Sequence, residues 1–342
     1  MNIKILNLIL FICFFESCKP GDKPLIVTGT FPENPVNMAD INSVYDDYNS
    51  ASPIIGSTSP LCFSSNRNSR GANFDIVYKL LDVYMSLSDG KLTVAENANN
   101  PLLDVVIENA NLNDAMARIN TSADELGPYL VDEGMKFTGS INMNKRYESY
   151  FLLYASNTGA NLDISYVQNL NQESYTNPKP VTFLNSSKDD AYPSFMQNYS
   201  SVYFCSNRDG NFHIYNTTLD TTKDLISNLD DTSLKVIDKD TVLSSTGDDK
   251  CPFIFNNVMV FTSNRPGGYG GFDLYYSLLV NGKWSAPVNF GPKINTAYDE
   301  YRPIIKPMPG FTNDFMIFSS NRPGGKGGFD LYYVGVKKMI IY

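Results

Sequence analysis

The side chains in this chain that could do chemistry recur instead of standing alone. Acidic pairs precede a proline at a fixed interval: Asp124-Glu125 with Pro128, Asp189-Asp190 with Pro193, Asp248-Asp249 with Pro252, and Asp299-Glu300 with Pro303. Asp46-Asp47 with Pro53 fits with three extra residues. Glycosidic hydrolysis needs two carboxyls about 5 to 10 Å apart in different environments. Carboxylates repeated in every unit single out neither an acid nor a nucleophile. The only histidine is His213, so a His-based metal site or a Ser-His-Asp triad would rest on that one ring. No Gly-x-Ser-x-Gly elbow, phosphate loop or paired-cysteine zinc motif occurs. The expectation is a non-catalytic chain with no cofactor and no metal. Carboxylates around a central axis are the one catalytic arrangement that a linear motif would miss.

A second motif alternates with the acidic pairs. Ser263-Asn264-Arg265-Pro266-Gly267-Gly268 leads to Phe272-Asp273-Leu274, and Ser320-Asn321-Arg322-Pro323-Gly324-Gly325 leads to Phe329-Asp330-Leu331. Weaker copies begin at Ser65-Asn66-Arg67, Ser156-Asn157 and Ser206-Asn207-Arg208. Two independent motifs in the same order five times mark five tandem units. In the fourth unit, Pro252 to Phe255 and Val258 to Thr262 are short apolar strands, and Phe272 to Val280 is an aromatic-rich third. Asn281-Gly282 is a strong two-residue hairpin signal, which returns the chain as a fourth strand over Lys283 to Phe290. Four antiparallel strands in about 57 residues, repeated in tandem, define a propeller blade. The fold class is all-β, a five-bladed β-propeller over 25–342.

The last unit stops after its third strand, at Leu331 to Lys337, and the N-terminus supplies the fourth. Pro35-Val36-Asn37 through Asp46-Asp47 mirrors Pro287-Val288-Asn289 through Asp299-Glu300, so the ring closes by pairing the two ends of the chain. The repeated residues are read as structural, because every blade needs them. They are Asn66, Arg67, Asp75, Asn157, Asp163, Asn207, Arg208, Asn264, Arg265, Asp273, Asn321, Arg322 and Asp330. Glycine permits positive φ in the tight connection, proline presets a turn position, and the aspartates Asp75, Asp163, Asp273 and Asp330 are placed to accept loop N–H groups.

What does not repeat is the better place to look for function. Insertions at about 82–117 and 131–149 fall on neighbouring blades and on one face, opposite the Asn-Arg loops. Within or beside them Tyr84, Met85, Phe137, Met143, Arg146, Tyr147 and Tyr150 offer aromatic and adaptable contacts to a partner.

The N-terminus reads as an export signal over 1–17: Lys4, then an apolar run from Ile5 to Phe15, too short for a permanent span. Ser17-Cys18 at its end resembles the lipobox of bacterial lipoproteins, with Cys18 acylated and 18–24 as tether; a plain secretory signal is the alternative. Cys62, Cys205 and Cys251 remain in the mature chain, enough for one disulfide but not a framework. A net charge of -9 without long acidic runs argues against a nucleic-acid or anionic-lipid surface.

The five units resemble the WD40-like propeller repeat called PD40, found in the TolB propeller and in envelope lipoproteins of Bacteroidetes-type bacteria. The second unit departs from the pattern with Thr158 in place of the arginine, and the third has His213 in place of the aspartate. The resemblance implies a lipid-anchored envelope protein, expected at the outer membrane. Its expected work is non-catalytic, as a scaffold or assembly factor binding envelope proteins. The alternative is a carbohydrate-binding propeller or a glycoside hydrolase-like enzyme with axial carboxylates, directed at cell-wall or surface glycan.

Overall fold

The computed structural model describes residues 28–53, 58–86, 88–97, 108–109, 112–138, 145–171 and 173–340. The expected export signal, Cys18 and the tether at 18–24 lie outside the described residues. Five sheets form the five blades, antiparallel except where Glu108–Asn109 pairs parallel to Lys145–Ser156 in the second. Their innermost strands are Asp47–Ala51, Glu125–Thr138, Asp190–Phe195, Asp249–Phe255 and Glu300–Lys306. The fourth unit folds as its sequence predicts: Val258–Ser263 and Asp273–Val280 follow, and Asn281 and Gly282, both at positive φ, turn the chain back. Lys283–Trp284 and Val288–Asn289 then complete the blade.

Ring closure is also as expected. Val36–Asn37 joins the fifth sheet beside Asp330–Val336, with Val36 opposite Tyr333 and Asn37 opposite Tyr332. Upstream, Gly29 N donates to Gly310 O at 2.8 Å, and Phe31 stacks on Phe311 at 4.1 Å between ring centroids. A Cβ at Gly29 would stand 2.5 Å from the Phe311 ring, so the strand approaches this closely only with glycine there.

The acidic pairs are joints. The first acid of each pair binds the preceding blade: Phe74, Leu162, Phe212, Phe272 and Phe329 donate their backbone N–H to Asp124, Asp189, Asp248, Asp299 and Asp46, at 2.7 to 3.0 Å. The second acid is wholly buried and clasped within its own blade. Asp249, for example, accepts from Ser245 N at 2.5 Å, Ser263 Oγ at 2.6 Å and Arg265 Nη2 at 2.6 Å. Arg67, Arg208 and Arg322 repeat the pairing with Asp47, Asp190 and Glu300. Each Nη2 also donates to the carbonyl six residues before its acid, at Ile41, Leu184, Leu243 or Ile294. The second blade, with Thr158, holds Glu125 through Thr121 and Ser156 alone. Burial there pushes the Glu125 carboxyl above its ordinary value.

The aspartates of the third strands divide. Asp273 accepts from Tyr269 N and Gly270 N, and Asp330 from Lys326 N and Gly327 N. Among the described residues no loop N–H reaches Asp75 or Asp163, and Asp163 Oδ1 has no partner. Their loops lack the Gly-Gly-x-Gly-Gly run that bends the backbone over the carboxylate.

The inserted segments are more regular than irregular loops. In the first, the third strand runs on to Met85 and pairs with Leu92–Glu96, which is the fourth strand of its blade. The helix Leu112–Ile119 then packs Leu112, Met116 and Ile119 against Tyr150, Tyr154 and Val167 of the second blade. In the second, strands Glu125–Thr138 and Lys145–Ser156 extend one hairpin outward.

Candidate functional site

All five innermost strands carry a bulge at the same place, with register shifts beginning at Tyr48, Leu126, Ala191, Lys250 and Tyr301. At each bulge one residue takes a left-handed backbone: Asn49, Gly127, Tyr192, Cys251 and Arg302, with φ between 47° and 59°. For four of the five this conformation is strained. Their side chains meet across the ring. Asn49 Nδ2 donates to Tyr192 Oη at 3.1 Å, Arg302 Nη2 donates to Pro128 O at 3.0 Å, and the Arg302 guanidinium lies 5.3 Å from the Tyr192 ring centroid. Contacts between the first and third, second and fifth, and third and fifth blades are possible only at the axis. A Cβ on Gly127 would stand 2.2 Å from Tyr192, so glycine makes room for that ring. The axis is thus plugged by side chains, and Arg302 within it is fully buried, with Nε and Nη1 lacking partners.

Two residues further along the same strands the axis opens into a pocket of about 180 Å³. Tyr129, Phe195, Phe253 and Phe255 supply its aromatic lining, Tyr199 stands at it with 38 % exposure, and Gln197, Asp132 and Lys306 supply its polar groups. It lies at the C-terminal ends of the innermost strands, on the face of the extended hairpin and opposite the Asn-Arg loops. An adjoining cavity of about 490 Å³ shares Val131, Asp132 and Tyr199 with it and adds Glu133 and Gln168. Together they form one groove leading outward from the axis.

Lys306 is 8 % exposed; its Nζ donates to Pro53 O at 2.9 Å and lies 4.4 Å from the Phe255 ring centroid. Burial holds its amine down at about 7. Asp132 stands exposed at the groove, accepting from Gly134 N at 2.7 Å. Glu133 accepts from Ser149 Oγ at 2.8 Å. The repeated acids are turned into their clasps and do not line this pocket; the carboxylates that line the groove are Asp132, Glu133 and Asp224, the last accepting from Ser227 N at 2.7 Å. Among the described residues no cluster of three or more metal-ligating side chains occurs.

The residues expected to meet a partner are dispersed. Tyr84 is 42 % exposed on the outer hairpin of the first blade, and Met85 packs against the main core. Tyr150 is wholly buried in the core beneath the helix, so it offers no contact to a partner. Phe137 is opposite Arg146, and Tyr147 opposite Lys136, along the extended hairpin; Met143 lies outside the described residues. Tyr84, Met85 and Tyr150 do not line the axial pocket. Sequence reasoning missed both the pocket and the plug. The available signal was the position just before the proline in four units, at Gly127, Tyr192, Cys251 and Arg302. Cys62, Cys205 and Cys251 are all unpaired and buried, and burial pushes the Cys62 thiol up to about 12.

No protein-family profile and no curated protein matches this chain. Solved structures do. A thermostable family-43 glycoside hydrolase is 10 % identical, with 87 % of this chain and 91 % of that one covered and a TM-score of 0.49. The catalytic domain of the GH62 α-L-arabinofuranosidase of Coprinopsis cinerea is 10 % identical, with 90 % and 97 % covered and a TM-score of 0.49. A putative TolB from Agrobacterium tumefaciens is 14 % identical, with 79 % and 69 % covered and a TM-score of 0.39. At such identities the likeness is one of fold: the chain is a five-bladed β-propeller. The expectation of a non-catalytic, protein-binding scaffold is corrected here. The matched propellers are mainly glycoside hydrolases. No catalytic residue is carried over from these structures to this chain.

Proposed function

We propose that this propeller acts on carbohydrate through the axial pocket and the groove beside it, in the manner of a glycoside hydrolase-like protein. The observation that carries the reading is the make-up of the pocket. Rings from three innermost strands wall a space of about 180 Å³, comparable to a cavity of ~150 Å³ that takes one benzene. One sugar ring fits that scale, aromatic faces suit its apolar side, and Gln197, Asp132 and Lys306 can meet its hydroxyls. Hydrolysis would draw on Asp132 and Glu133 as the paired carboxyls. We further propose that the chain is a PD40-type lipoprotein held at the cell envelope through Cys18, which places the groove near cell-wall or surface glycan.

The test is calorimetric titration and reducing-end assay of the protein against a panel of oligosaccharides. Binding that Tyr199→Ala weakens by about fivefold or more supports the reading, since an aromatic contact of this kind is worth ~1 kcal/mol or more. Hydrolysis lost in Asp132→Asn or Glu133→Gln identifies the chemistry. Failure of every saccharide to bind or be cleaved sinks it. Metabolic labelling with a fatty acid, lost in Cys18→Ser, tests the anchor.

A further inference from the structure

The axial pocket holds a cation without a counter-charge. The Lys306 ammonium has three donors, of which one is used, on Pro53 O. Its other near neighbours are the rings of Phe253 and Phe255, and among the described residues it makes no ion pair. Asp132, the only carboxylate among the described residues lining the pocket, is exposed and accepts from Gly134 N. Four residues earlier on the same strand, Arg302 is a second buried cation with no carboxylate partner, its Nε and Nη1 unused. Arg302, and Lys306 whenever it carries its proton, give this end of the axis a positive field inside low-dielectric walls, where an incoming anion is felt most strongly.

We propose that the axial pocket selects an acidic sugar, a uronic acid whose carboxylate pairs with Lys306. This rests on the carbohydrate reading above and names its substrate class. The aromatic walls take the ring, and the carboxylate takes the free donors of the ammonium. A hydrogen bond to a charged group is worth roughly 10- to 100-fold in affinity. Entry of the carboxylate also restores the proton that burial strips from the amine, whose value is held at about 7. The other titratable groups lining this space are Asp132, Tyr129 and Tyr199, with Arg302 in the plug beyond; burial raises both tyrosines above their ordinary range, so they stay neutral.

The experiment titrates the intact protein with galacturonic and glucuronic acid oligomers. Neutral glucose and xylose oligomers, a sulfated oligosaccharide and a poly-glutamate peptide serve as the other arms. The expected result is uronide binding at least ~10-fold tighter than neutral binding. It is accompanied by proton uptake at pH 8, read from the heats in two buffers of different ionisation enthalpy. Lys306→Met abolishes both the preference, read as the ratio of uronide to neutral-sugar affinity, and the uptake, and Lys306→Arg keeps the preference. Equal affinity for neutral and acidic sugars overturns the inference but leaves the carbohydrate reading standing. So does a preference that survives Lys306→Met in a folded variant, or a preference for the sulfated sugar or the peptide over the uronides. Absence of any saccharide binding is the separate outcome that removes the underlying reading.

Discussion

Replacing Arg265 with methionine isolates what the repeated clasp contributes. Asp249 is wholly buried, and Arg265 Nη2 meets its Oδ1 at 2.6 Å while also binding Leu243 O at 2.6 Å. Methionine keeps most of the aliphatic stem, so the loss is that of the guanidinium, including its place over the Phe261 and Tyr275 rings. Removing one partner of a buried ion pair costs about 3–5 kcal/mol, because the remaining charge is stranded. Asp249 retains Ser245 N and Ser263 Oγ, and the arginine side chain is 15 % exposed, which places the effect at the lower end, about 3 kcal/mol. At roughly 2 °C per kcal/mol for a domain of this size, Tm falls by about 6 °C. Trp284 is the sole tryptophan and is buried in the same blade, so its fluorescence reports a urea titration directly. Asp249→Asn in the same background removes the stranded charge and recovers part of the loss, giving a coupling energy of about 2 kcal/mol in the four-way cycle. A loss under ~1 kcal/mol with no coupling would refute the argument that charge closes the clasp.

Supplying the missing arginine in the second blade, Thr158→Arg, places a guanidinium near Glu125 and Ile119 O; thermal unfolding should show a gain of about 1 kcal/mol. Gly127→Ala adds a Cβ against the Tyr192 ring at a backbone φ of 58°, and denaturant titration should show a loss of about 2–4 kcal/mol. Lys306 keeps its proton up to the ordinary 10.5 when unfolded but releases it near 7 when folded, so stability should rise with pH between those values. Lys306→Met should therefore exceed the parent by about 3 kcal/mol at pH 6, with the difference closing towards pH 10; a pH-independent difference counts against the buried amine.

The fold was legible because its repeated parts are joints, and joints demand the same residues each time. An acid that must receive a neighbour's N–H and an acid that must sit under an arginine leave a spaced signature in every unit. The match of Pro35-Val36-Asn37 to Pro287-Val288-Asn289 gave the closure for the same reason. The site was not legible, because its residues share geometry and not chemistry. Asn49, Gly127, Tyr192, Cys251 and Arg302 occupy one backbone state in five blades but differ in kind, since each fills a different part of one shared space. The pocket wall, from Tyr129 to Phe253 and Lys306, is indistinguishable in sequence from ordinary alternating strand residues. The inserted segments drew attention as loops, yet their periodicity was spent on a hairpin, a fourth strand and a packed helix.

The bond from Phe329 N to Asp46, where the chain's two ends meet, has the same chemistry as the bond from Phe212 N to Asp248 in mid-sequence, at 2.7 and 2.9 Å. The junction between the fifth and first modules is therefore fastened in the same way as the junction between the third and fourth. A permuted gene that fused the natural ends and opened the polypeptide between its third and fourth modules would retain all five fastenings.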